Sequence, residues 1–142
     1  MRAHPKPRPR AKRDPNPKRS VKSLVYERDG NRCVINGPRC TGVATCTDHR
    51  AGRGAGGSRE LNTAACLVAA CELCNGFKED ATGYQRDALE ARGLRVLKAA
   101  TNEKTAARCR ETPVLYPDGQ LYRLDDDGRR TPVTETREEV AW

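Results

Sequence analysis

Val21, Leu24 and Val25 recur at helical spacing behind Ser20, which can cap, and Asp29-Gly30 stops the run. The spacing predicts a short helix beginning at Ser20. Residues 32–36 and 43–48 read as two short strands, joined by a Gly37-Pro38 turn and a Thr41-Gly42 step. The longest near-apolar run, 64–71, falls far short of the roughly 20 residues of a membrane span, so no membrane partner is expected. Residues 71–80 read as the start of a helix. Thr82 or Gly83 opens a second over 84–92, with Gly93 as its C-terminal stop. Farther on, Val114-Leu115-Tyr116, the turn Pro117-Asp118-Gly119 and the strand 121–124 predict a β-hairpin, and Asp127-Gly128 is a further turn signal. The pattern as a whole predicts a small α+β fold.

Composition says what must hold such a fold together. The chain has 142 residues, 4% of them aromatic, with one Met and one Trp. Small domains with thin cores rely on disulfides, a structural metal or oligomerisation. Charge divides the chain further. Residues 1–22 carry nine basic side chains against Asp14 alone, which accounts for the whole net charge of +8, and they hold five of the nine prolines. Such a segment cannot bury enough apolar surface to order itself, so residues 1–19 are expected to form a disordered basic arm. Its electrostatic partner would be a polyanion, DNA or RNA; the plain alternative is a solubilising tail. After about Thr101 the chain turns acidic, so an acidic helix and the hairpin are expected to form a C-terminal extension, 82–142, on a core of 20–81. The N-terminus lacks the apolar stretch of a signal peptide, and a cytoplasmic location is expected.

Seven cysteines in a chain of this kind point to metal ligation or catalysis rather than disulfides. Cys33-x6-Cys40 and Cys71-x2-Cys74 form two chelating pairs, the arrangement a tetrahedral zinc ion requires. Cys46 is a rival for a place in the first pair, though a poorer chelate partner; Cys66 and Cys109 read as buried small hydrophobes. A redox role for the CxxC would call for a βαβ context, which is missing. With four thiolates the zinc would be structural, leaving no open position for water.

Chemistry must then lie elsewhere. His49, the only histidine of the folded part, follows Asp48 directly. Adjacent strand residues splay apart, so one can bind a metal while the other binds a water. Asn75, right after Cys74, offers a second oxygen ligand, and such hard ligands suit magnesium or manganese. The following loop, 50–59, holds four glycines and the arginines Arg50, Arg53 and Arg59, which could grip phosphates or simply be solvated. It lacks the GKS/T ending of a P-loop. Asp125-Asp126-Asp127 reads as a solvated turn, since the alternating spacing of a calcium loop is missing.

Taken in order, Arg28-Asp29-Gly30-x2-Cys33, Cys40, Thr47-Asp48-His49-Arg50 and Cys71-x2-Cys74-Asn75-x2-Lys78 resemble the HNH endonucleases, in particular small members encoded by bacteriophages. The resemblance covers about residues 21–80. It implies a ββα-metal core and a DNA endonuclease acting on double-stranded DNA. Asp48 and Asn75 would hold a catalytic magnesium or manganese, and His49 would be the general base. Lys78 would contact phosphate, as would Arg50 and Arg53. Cys33, Cys40, Cys71 and Cys74 would bind the structural zinc that pins hairpin to helix. One departure stands out: the family's middle Asn, which braces the loop carrying the His, falls on Cys66, whereas Asn62 lies four residues away. A phage setting would add terminase or packaging proteins as partners. The alternative is a non-catalytic zinc-stapled DNA-binding or packaging-accessory module. A third reading, zinc as a redox sensor, rests only on the spare Cys46, Cys66 and Cys109.

Overall fold

The computed structural model describes residues 3–9, 14–52 and 59–134. Four α-helices and two small antiparallel sheets make up the described residues, an α+β arrangement. None of these helices is long and apolar enough to cross a membrane.

Helix α1, Arg19–Arg28, starts one residue before Ser20, with Lys18 at the N-cap. Val25 is its buried anchor, packed with Ala64, Leu67 and Ala69, while Val21 and Tyr26 are half-buried beside it. The helix ends where Asp29 turns inward and Gly30 takes φ +63°. Arg28 Nε (2.8 Å), the Tyr116 hydroxyl (2.6 Å) and the Ala69 N–H (2.9 Å) all donate to the Asp29 carboxylate.

The expected hairpin of 32–36 with 43–48 does not form. These segments share a single isolated bridge, Arg32 to Val43. Strand β1 is Cys46–His49, and its partner is β2, Leu67–Ala70, antiparallel in the register Cys46 to Ala70 and His49 to Leu67. The physical reason lies in the loop: left-handed backbone at Asn36 (φ 50°) and Gly42 (φ 82°) curls the chain so that Cys33 and Cys40 converge, which a ladder would prevent. Strand β2 is buried at all four positions, so it shows no alternation by which a pattern could reveal it.

Helix α2, Glu72–Asp80, follows directly. Helix α3, Gly83–Ala91, ends at Gly93, whose φ of +72° and close approach to Pro113 exclude any side chain: a Cβ there would sit 1.9 Å from the Pro113 carbonyl oxygen. Helix α4, Asn102–Glu111, is capped by the Thr101 hydroxyl, which accepts from Lys104 N–H at 3.1 Å. It is not the acidic helix expected, since Lys104, Arg108 and Arg110 outnumber Glu103 and Glu111. The predicted hairpin is present as β3, Val114–Leu115, and β4, Leu121–Leu124; a third strand, β5, Arg130–Pro132, pairs with β4.

The C-terminal half is not an appendage. Leu89, Leu94, Val114, Tyr116 and Leu124 share one core cluster with Val34, Val68 and the zinc-type cysteines. Two buried arginines bolt the halves together. Arg92 donates to the carbonyls of Ile35 (2.6 Å), Val34 (3.2 Å) and Leu115 (3.1 Å). Arg50, 1% exposed, donates to Gly93 (2.8 Å), Ala65 (2.8 Å), Cys109 (2.6 Å) and Thr112 (2.7 Å). Arg50 is therefore a core clamp and not the phosphate ligand expected from its Gly/Arg-rich loop. Arg50→Met leaves four carbonyls without their donor and is expected to cost about 3 kcal/mol or more in urea unfolding. An unchanged midpoint would return Arg50 to the surface.

Candidate functional site

Two neighbouring sites share helix α2. At its N-terminus, the Sγ atoms of Cys33, Cys40, Cys71 and Cys74 all lie within 4.8 Å of one another. Tetrahedral zinc with thiolate bonds near 2.3 Å spaces its sulfurs about 3.8 Å apart, so small side-chain shifts close the cluster on an ion. Backbone N–H groups already point at the sulfurs: Gly37 to Cys74 (3.3 Å), Gly42 to Cys40 (3.3 Å) and Cys74 to Cys71 (3.4 Å). Burial works against the Cys71 thiolate, but N–H groups of Thr41 and Cys74 outweigh it and bring the thiol down to about 6. For Cys74 burial prevails, and its thiol is raised. No disulfide involves any of the seven cysteines. The donor set is compatible with a structural metal such as zinc. Cys46 stands apart, its thiol donating to the Ala70 carbonyl at 3.4 Å.

The second site is a cleft of about 760 Å³ with Asp48, His49, Asn75 and Lys78 among its lining. Strand β1 delivers Asp48 and His49, and α2 delivers Asn75 and Lys78, three positions apart and hence on neighbouring parts of one helix face. Asp48 is only 9% exposed, and Lys78 Nζ lies 2.5 Å from its Oδ2. The same ammonium donates to the His49 carbonyl at 2.5 Å. Lys78 thus reaches the predicted site, but through the carboxylate. Burial raises the Asp48 carboxyl above its ordinary value, and Lys78 opposes that rise without cancelling it. The Asp48 carboxylate and the Asn75 amide oxygen, both carried by residues of the cleft lining, are hard donors of the kind magnesium or manganese takes.

His49 is held by a short chain of hydrogen bonds. Its Nε2 lies 2.7 Å from Asn62 Oδ1, and Asn62 Nδ2 donates to the Pro15 carbonyl at 2.9 Å. A carbonyl accepts only, so Pro15 fixes which end of the amide faces the ring. Asn62 Oδ1 then requires a proton on Nε2, and Nδ1 is the basic nitrogen of the neutral ring. Asn62 therefore makes the contact with the His that Cys66 does not. The Cys66 side chain is buried with Leu61, Val96 and Cys109 and accepts the Thr63 hydroxyl at 3.4 Å; its carbonyl takes the Arg50 N–H at 2.8 Å.

Arg53 lies outside the described residues, and Arg59 is exposed on the 3₁₀ turn Arg59–Leu61. The end of the expected arm behaves differently from its start. Residues 3–9 are exposed without regular secondary structure, whereas Pro17 is buried and Asn16 and Pro17 line the cleft. Sequence reasoning also missed Lys22, Arg95 and Lys98, which line it from α1 and from the segment between α3 and α4. Nothing in their local pattern marks them. Comparison with protein families, curated proteins and solved structures finds no match to this chain.

Proposed function

We propose that this chain is a metal-dependent endonuclease of the HNH type that hydrolyses phosphodiester bonds of double-stranded DNA. The observation that carries this reading is the His49–Asn62–Pro15 chain, which sets the ring's tautomer in the same cleft as Asp48 and Asn75. In this mechanism His49 Nδ1 takes the proton of an attacking water. The new water oxygen–phosphorus bond forms as the bond to the 3′-oxygen breaks, and the leaving oxygen is protonated by solvent. Asp48 and Asn75 would hold magnesium or manganese, which when bound supplies charge stabilisation at the phosphoryl and leaving oxygens. Lys78 keeps the buried carboxylate compensated and adds positive charge where phosphate arrives. The four cysteines fasten the first turn of α2, and so fix Asn75 in the residue after Cys74. Seven cysteines with no disulfide among them, four gathered in the metal-type cluster, support a cytoplasmic site of action.

Supercoiled plasmid incubated with the protein and magnesium or manganese should become relaxed, and EDTA should stop the reaction. A single site cuts one strand per event, so nicks precede linear product. A second reading draws on the Lys78–Asp48 pair, in which an ammonium already satisfies the carboxylate. There the chain is a zinc-stapled DNA-binding or phage packaging-accessory module that contacts terminase or other packaging proteins. Intact plasmid together with a gel shift would favour it.

A further inference from the structure

Of the expected phosphate ligands with described positions, Arg50 is engaged by four carbonyls and Lys78 by Asp48, and Arg59 is exposed but is not among the described residues of the cleft lining. Among the described residues the cleft's other cations are Lys22, Arg95 and Lys98. Arg95 pairs with Glu90, but neither Lys22 nor Lys98 has an ion-pair partner among the described residues. Against these cations the described lining residues offer two carboxylates, Asp48, already paired, and Glu79. Lys98 reaches back toward the catalytic strand, its Cε 3.7 Å from where a side chain on Gly52 would begin. Tyr26 is the one aromatic residue in the described lining, so stacking on bases contributes little. A volume of about 760 Å³ is that of a small-molecule pocket, too small for a duplex and suited to a short stretch of one backbone.

We infer that the cleft is a phosphodiester groove in which Lys22 and Lys98, from opposite halves of the chain, hold backbone phosphates flanking the one presented to His49. The assignment of His49 rests on the nuclease reading; the groove itself is a binding statement. Each lysine displaces one condensed counterion from DNA, so each contributes about one unit to the dependence of log affinity on log salt. The test uses the full zinc-loaded chain and a short fluorescein-labelled duplex, with anisotropy titrations across a salt series in calcium, which leaves zinc in place. Lys22→Ala and Lys98→Ala should each weaken binding and lower the salt slope by about 1, and the double variant by about 2. Melting temperature and zinc content should stay at wild-type values, which separates lost contacts from lost fold. Lys104→Ala, on α4 and outside the cleft lining, should leave the slope unchanged. Unchanged slopes in both cleft variants, an equal fall in Lys104→Ala, or no duplex binding by the wild type would each overturn the groove. The expected falls in slope together with no plasmid cleavage would sink the nuclease reading and leave the groove standing.

Discussion

His49→Ala lowers the rate of plasmid relaxation by about 10²–10⁴-fold, the range a positioned general base contributes, while duplex binding and the melting temperature stay near wild type. The size of the effect follows from how narrowly the ring is specified. Asn62 accepts from Nε2 at 2.7 Å and is itself anchored at 2.9 Å to Pro15, so the basic nitrogen is set by the fold and not by solvent. Alanine removes that nitrogen but keeps the backbone carbonyl that accepts Lys78, so Asp48 retains its compensating charge. The experiment compares single-turnover rates in manganese. Equal rates for variant and wild type would take His49 out of the chemistry.

Cys71→Ser should act on the fold. Structural zinc in small domains contributes an apparent 10–16 kcal/mol, comparable with or larger than the roughly 5–15 kcal/mol that keeps a whole domain folded. Losing one of four thiolates therefore removes metal and cooperative structure together. Cys71 carries a double duty here: its sulfur belongs to the cluster and also accepts the Cys74 N–H at the start of α2. Zinc content by chelator titration and a thermal melt by circular dichroism read both consequences. The contrasting variant is Cys46→Ser, whose thiol donates to a carbonyl outside the cluster and which should keep its zinc. A Cys71→Ser protein that melts like wild type with its zinc retained would exclude this residue from the cluster.

The parts of this molecule that were legible beforehand are those written in local pattern. Val21, Leu24 and Val25 give α1, Gly93 stops α3, and the turn at Pro117-Asp118-Gly119 gives the β3–β4 hairpin. The paired cysteine spacings likewise bring four sulfurs together. What escaped is what depends on distant partners. Strand β2 is apolar on both faces and sits about 20 residues from its mate, so the nearer segment 32–36 took its place in the reading. Arg50 looked like a loop cation because a sequence cannot show four carbonyls, two of them about 60 residues away, converging on one guanidinium. Asn62 was outranked by a fixed spacing that lands on Cys66. The two 3₁₀ turns, Arg59–Leu61 and Ala64–Cys66, leave Asn62 between them under the histidine and carry Cys66 into the core.

The Arg50 clamp also sets a timetable for the newborn chain. The ribosome adds about 5–20 residues per second, and both the cysteine cluster and His49 emerge well before Cys109 and Thr112. Until those two carbonyls arrive, the guanidinium next to His49 lacks half of its acceptors, and the strand end that bears the histidine has no finished seat. The cleft is consequently among the last features to mature during synthesis, and a polypeptide cut short between Lys98 and α4 carries the residues of the site without its geometry.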